Sequence, residues 1–150
     1  MIKKAYSSLK LLRPKQWIKN FAIFAAIIFS GNVFEPIILQ KVVIGFFVFC
    51  GLSAAAYIIN DFFDIKKDRL HPFKKFRPLA HGDISIPFAL VIAIFLVVGS
   101  LILGFYVTPA FFALAHIYMF VQLLYSTILK SIAVIDILAI ASGYILRVYA

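Results

Sequence analysis

The sequence predicts an all-α, multi-spanning transmembrane helical bundle of about five helices. Three observations carry that prediction. Of the 150 residues, 64% are hydrophobic and 14% charged, more apolar surface than a water-soluble core of this size can hide. Apolar runs near the ~20 residues needed to cross a bilayer recur along the chain, whereas the apolar/polar alternation of a membrane barrel is absent. The cations gather between those runs, which is how cytoplasmic segments of membrane proteins are marked.

Taken in order, the first membrane helix is expected over about 16–34, with Trp17 at the water interface where an amphipathic ring is favoured. A turn carrying Glu35 and Pro36 leads to a second helix over about 38–64, possible as far as Asp68. Pro72 and Pro78 forbid its continuation, so 65–86 reads as an ordered cytoplasmic loop with a short helix or turns. Three further helices are expected over about 87–107, 109–129 and 132–150, within a single transmembrane domain. The span count places the N-terminus, the 65–86 loop and the Lys130 turn on one side. That side also holds Lys3, Lys4, Lys10, Arg13, Lys15 and Lys19, together with Lys66, Lys67, Arg69, Lys74, Lys75 and Arg77. Lys41 faces the opposite side and Arg147 falls inside the fifth helix.

The formal net charge of +9 therefore reports topology, and a nucleic-acid partner is not expected. Cys50 is the single cysteine and sits in an apolar run, so it forms no internal disulfide and reads as packing. About twenty residues precede the first apolar stretch and no clean small-residue cleavage site follows it, which favours an uncleaved first helix over a signal peptide.

The chemistry concentrates at Asn60-Asp61-Phe62-Phe63-Asp64-Ile65-Lys66-Lys67-Asp68. At helical spacing Asn60, Asp61, Asp64 and Asp68 fall within about 100° of one another, and Ser53 and Tyr57 share that stripe. Three carboxylates on one face repel one another and are costly to desolvate at a membrane boundary. A cation is the natural compensation, and Mg²⁺ is typically held by one or two carboxylates together with substrate phosphates; Asp61 and Asp64 fit that description. The alternative is a solvated helix end with its aspartates paired to Lys66, Lys67 and Arg69. His71, Lys74, Lys75 and Arg77 follow in the proline-bounded loop and suit an anionic substrate, although such a loop also serves as a topology signal or a partner for lipid headgroups.

Deeper in the chain, Tyr118, Gln122, Tyr125 and Ser126 form a polar stripe on the fourth helix, facing protein or a wet cavity. His116 lies off that stripe and reads as a satisfied structural histidine. Asp136 and Arg147 fall within about 20° of each other on the fifth helix, with Gly143 between them. Each could line a cavity; an arginine near a chain end could instead snorkel to the interface.

These residues resemble the UbiA superfamily of intramembrane prenyltransferases, whose first signature has the form Asn-Asp-x-x-Asp-x-x-x-Asp on the second helix; Asn60, Asp61, Asp64 and Asp68 match every position. Arg13 to Asn20, reading Arg-Pro-Lys-Gln-Trp-Ile-Lys-Asn, resembles the branch that includes decaprenyl-phosphate phosphoribosyltransferases, as do Asp68-Arg69-Leu70-His71-Pro72 and Arg77-Pro78. Tyr125-Ser126 with Lys130, and Asp136 through Arg147, are similar to the family's fourth and fifth helices. The resemblance implies transfer of 5-phosphoribose from phosphoribosyl diphosphate to a polyprenyl phosphate, with Mg²⁺ as cofactor and diphosphate as leaving group. It implies metal or catalytic roles for Asn60, Asp61, Asp64 and Asp68, and substrate contacts for Lys19, Asn20, Tyr57, Lys67, His71, Lys74, Arg77, Tyr125, Lys130 and Asp136. Two alternatives stay open: a prenyl diphosphate donor with an aromatic or other lipophilic acceptor, and a non-catalytic membrane subunit or cation transporter. Family members are about twice this length and carry a second aspartate cluster in their later half. Asp83 and Asp136 do not supply it, so the chain is expected to be an N-terminal half, inactive by itself.

Overall fold

Proline punctuates the fold. In the computed structural model, which describes residues 2–150 and the side chains from Tyr6 onward apart from Ala133, Pro36 opens helix α3, Pro78 opens α4 and Pro109 opens α6. Proline is tolerated at a helix start because its missing N–H would have no partner there. Seven α-helices are connected mostly by 3₁₀ turns: α1 (Ile2–Leu12), α2 (Phe24–Phe29), α3 (Pro36–Leu70), α4 (Pro78–His81), α5 (Ile86–Phe105), α6 (Pro109–Thr127) and α7 (Ala133–Tyr149). The side chains of Lys3 and Lys4, counted above among the cations, lie outside the described residues.

The 35-residue α3 is about 50 Å long, well over the ~30 Å hydrocarbon core, so its last turns stand clear of the lipid. There the Asp cluster is carried. Helices α3, α5 and α6 are long and apolar enough to cross a membrane. Helix α7, at 17 residues, sits at the short end of spanning lengths.

Helix α5 displays its environment most directly. The residues it buries are small, namely Ala89, Ala93, Ser100 and Gly104, while Val91, Ile94, Phe95 and Val98 are at least half exposed. Large apolar groups outside and small ones inside is the pattern of a helix solvated by lipid and packed closely on its neighbour. Its neighbour is α3, where a Cβ on Gly51 would collide with the Ser100 hydroxyl. Two apolar clusters then hold the bundle. One is built on Val48, Phe49, Leu52, Phe111 and Tyr118, and the other on Leu11, Ala55, Ile58, Leu79 and Ala89.

The first expected membrane helix, 16–34, differs. Its place is taken by a ten-residue 3₁₀ segment, Pro14–Ile23, followed by the six-residue α2 and a turn at Gly31. A 3₁₀ run beyond three or four residues is uncommon and marks a segment shaped by its contacts. Here Asn20 and Ile23 are buried, and Asn20 bonds to α3 through Ser53 and Cys50. Helix α1 was also not foreseen: its buried Ser7 and Leu11 pack it beside the loop and α3, where Lys10 donates to the Phe76 carbonyl at 2.9 Å.

Candidate functional site

Three aspartates on one stripe of α3 require counter-charge, and the chain supplies it from three distant segments. Arg13, between α1 and the 3₁₀ segment, donates to both carboxylate oxygens of Asp61, at 2.7 Å to Oδ2. Arg77, at the start of α4, bridges Asp61 at 3.1 Å and Asp68 at 2.7 Å. Lys130, in the turn before α7, donates to Asp64 at 2.7 Å and to the Asn60 side-chain oxygen at 3.2 Å. The sequence neighbours Lys66 and Lys67 are exposed, and Arg69 instead donates to the Ala80 carbonyl. The repulsion that argued for a metal is thus answered within the protein, and by cations the sequence did not single out as partners.

Arg13 is held in an unusual conformation, with φ 50° and ψ 57°. It is the non-glycine residue at positive φ among the described residues, and it precedes proline, where extended backbone is preferred. Its guanidinium lies 4.8 Å over the Tyr57 ring and pairs with Asp61; these contacts fix a backbone state that costs about 1–3 kcal/mol.

Beside this network opens a cavity of about 400 Å³. Arg13, Lys19, Lys74, Arg77, Lys130 and Arg147 line it, against the single carboxylate of Asp64. Tyr57, Asn60 and Tyr125 complete the end nearest the aspartates, and Ser53, Tyr118, Gln122 and Tyr144 line it deeper in the bundle. With Asp61 and Asp68 paired to Arg13 and Arg77 behind the wall, the six cations still outnumber the three aspartates, an arrangement that suits a multiply charged anion.

Residues 20–149 match the UbiA prenyltransferase family. The chain belongs to that family. It is 38% identical over 146 residues to decaprenyl-phosphate phosphoribosyltransferase of Mycolicibacterium smegmatis, covering 95% of this chain and 46% of that protein. The same-named protein of Corynebacterium glutamicum is also 38% identical, with 95% and 44% covered. A solved UbiA homolog from Archaeoglobus fulgidus, bound to GPP and Mg²⁺, superimposes with a TM-score of 0.80 at 28% identity over 96% of this chain and 52% of that one. The chain therefore spans about half the length of these relatives.

In this UbiA-family chain the residues singled out from sequence fall into three groups, with Asp136 outside all of them and not on the cavity wall. Lys19, Tyr57, Asn60, Asp64, Lys74, Arg77, Tyr125 and Lys130 line the cavity. Asp61, Asp68 and Asn20 are buried beside it, engaged in the contacts described above. Lys67 and His71 are exposed away from it, and His71 accepts from the Phe73 and Lys74 backbone amides at 3.2 and 3.3 Å. Asp136 faces Tyr125 and keeps one carboxylate oxygen buried without a hydrogen-bond partner among the described residues. His116 is satisfied by the Phe112 carbonyl at 2.8 Å.

Among the described residues no three His, Cys, Asp or Glu side chains converge on one point. Mg²⁺ takes few carboxylates and completes its shell with water and phosphate oxygens. Asp64, with the Asn60 amide oxygen beside it on the cavity wall, offers that donor set; Asp61 and Asp68 are tied to arginines.

Arg13 was not among the site residues expected from sequence, and of the two places left open for Arg147, cavity and interface, the structure shows the cavity. Arg147 is 6% exposed and turns inward, its Nη1 donating to the Gly143 carbonyl at 2.7 Å. The Gly143-to-Arg147 spacing of one helical turn was the available signal: a Cβ on Gly143 would stand 3.4 Å from that same nitrogen.

Proposed function

We propose that this chain builds the donor site of an intramembrane transferase that moves 5-phosphoribose from phosphoribosyl diphosphate to a polyprenyl phosphate. The C1–oxygen bond to diphosphate breaks, a C1–oxygen bond to the lipid phosphate forms, and diphosphate leaves. The observation that carries the reading is a cavity wall of six cations, of which Arg13, Arg77 and Lys130 are paired with Asp61, Asp68 and Asp64 and Lys19, Lys74 and Arg147 have no carboxylate partner among the described residues. The names of the relatives, decaprenyl-phosphate phosphoribosyltransferases, support the phosphoribosyl group and the polyprenyl phosphate acceptor.

Arg13, Lys74, Arg77 and Lys130 would bind the diphosphate and stabilise the charge that grows on it as it departs. Asp64 and Asn60 would hold Mg²⁺, with Lys130 giving up its place on both. When bound, the ion neutralises phosphate oxygens and polarises the leaving group. The buried Asp61 and Asp68 position Arg13 and Arg77, fixing two donors on the cavity wall before substrate arrives. No general base is needed, because the attacking lipid phosphate oxygen is already anionic. The cationic end of the bundle, with α1, the loop after α3 and the Lys130 turn, faces the cytoplasm, following the excess of Lys and Arg there.

A prenyl diphosphate donor is the second reading, favoured by the GPP and Mg²⁺ in the Archaeoglobus relative. Offering the full-length protein labelled polyprenyl phosphate with phosphoribosyl diphosphate, and separately labelled prenyl diphosphate with lipophilic acceptors, distinguishes them. The account predicts Mg²⁺-dependent labelled phosphoribosyl lipid in the first reaction; product confined to the second rejects it.

A further inference from the structure

Arg147 differs from every other cation on the cavity wall for which a partner is described. Its Nε donates to the Asn20 side-chain oxygen at 2.7 Å, its Nη1 to the Gly143 carbonyl, and its Nη2 to the Tyr118 hydroxyl at 2.8 Å and the Ser53 hydroxyl at 3.3 Å. The rings of Tyr118 and Tyr144 lie 4.8 and 5.7 Å from the guanidinium carbon. All of these partners are neutral, and among the described residues no carboxylate pairs with it. Arginine cannot shed its proton, and a buried charge requires an opposite one. Because Arg147, Ser53 and Tyr118 all line the cavity, a ligand can provide it there.

Ser53 precedes Asn60 by seven residues on α3, so this group lies roughly 10 Å deeper than the Asn60–Lys130 contact. One phosphate group cannot touch both levels. We propose that Arg147, Ser53 and Tyr118 form a second anion subsite, at the inner end of the cavity, that takes a phosphate monoester. Nη1 keeps one N–H beyond its bond to Gly143, and Nη2 can exchange its Tyr118 and Ser53 contacts, so that the guanidinium and the hydroxyls it releases donate to a compact dianion with several acceptor oxygens. The Asn20 oxygen holds the Nε side of the fork, which gives this buried residue a positioning role. The identity of the anion rests on the proposed function; the uncompensated charge does not. Within that function a phosphate monoester has two sources, the lipid phosphate of the acceptor and the 5-phosphate of the donor ribose.

Geranyl phosphate and ribose 5-phosphate, titrated separately into the full-length protein in nanodiscs, distinguish the sources, with inorganic diphosphate plus Mg²⁺ as the third ligand. Arg147→Gln is expected to weaken one of the two monoesters by roughly ten- to a hundredfold while leaving diphosphate within about twofold; Lys130→Ala is expected to do the reverse. A loss confined to geranyl phosphate assigns the subsite to the acceptor, and one confined to ribose 5-phosphate assigns it to the donor. Unchanged affinity for both monoesters, in a variant that unfolds at the parent temperature, overturns the proposal. Should Arg147→Gln not fold, Ser53→Ala with Tyr118→Phe removes the hydroxyls and leaves the charge. One of the two monoesters should then weaken several-fold, and no change in either overturns the proposal. Failure of diphosphate to bind the parent protein would reject the donor site instead, leaving the monoester result standing separately.

Discussion

Two regions of one cavity handle buried charge in opposite ways. At the outer level, Asp61 and Asp68 are matched by Arg13 and Arg77, and Asp64 by Lys130, all within the protein. At the inner level, Arg147 is surrounded by an amide, a carbonyl and two hydroxyls. The first arrangement fixes donors in place and gives stability to the fold. The second leaves a positive charge for something that enters. The contrast separates cations already held by the protein's own carboxylates from one whose partners are all neutral, although both were read from sequence as charged positions.

The largest effect should come where the two roles meet. Asp64 is the carboxylate on the cavity wall, so Asp64→Asn in the full-length protein should lower Mg²⁺-dependent turnover by roughly 10²–10³-fold. Its yield in membranes should be unchanged, and near-normal turnover would remove Asp64 from the metal site.

Arg13→Ala tests the structural role of the outer network. It strips the buried Asp61 of its shortest ion pair and should cost about 3 kcal/mol of stability, read as a fall in unfolding temperature in detergent. Combining it with Asp61→Leu should recover most of that loss, since an apolar pair leaves no unpaired charge. If the double variant is no more stable than the single one, Asp61 is not balanced in the way described.

A smaller effect is expected from packing remote from both levels. Gly45→Val would push into the Phe111 ring, which a Cβ already meets at 2.9 Å. It should cost about 1–3 kcal/mol through overpacking while donor affinity in the folded fraction stays unaltered. Smallest of all, Lys67→Ala and His71→Ala alter exposed side chains off the cavity and should shift stability by less than about 0.5 kcal/mol. A large loss of turnover in either would restore them to the site.

How much of this was legible in the sequence follows from what periodicity reports. The stripe Ser53, Tyr57, Asn60, Asp64 is a property of one helix, and it was read correctly onto one face. The polar stripe of α6, Tyr118 to Ser126, likewise turns toward the cavity. Pairings between segments carry no such signal: Arg13 and Asp61 are 48 residues apart, and nothing in either local pattern names the other. The same limit explains why the alternative to a metal named Lys66, Lys67 and Arg69, near in sequence, while the partners in the structure are Arg13, Arg77 and Lys130. The 3₁₀ segment was hidden because apolar content between residues 16 and 34 is that of a helix, while its geometry is set by burying Asn20 against Cys50 and Ser53. For Arg147 a position near a helix end left snorkelling open beside the cavity, and the contacts that turn it inward come from Asn20, Ser53 and Tyr118 on other segments.

The central claim is that the cationic wall around Asp64 and Lys130 binds a diphosphate together with a divalent ion. Calorimetric titration of phosphoribosyl diphosphate into the full-length protein, with Mg²⁺ present and after chelation, tests it most directly. Affinity should fall at least about tenfold on chelation and fall again in Lys130→Ala. Equal affinity with and without the metal, and in the parent and the variant, would contradict the account.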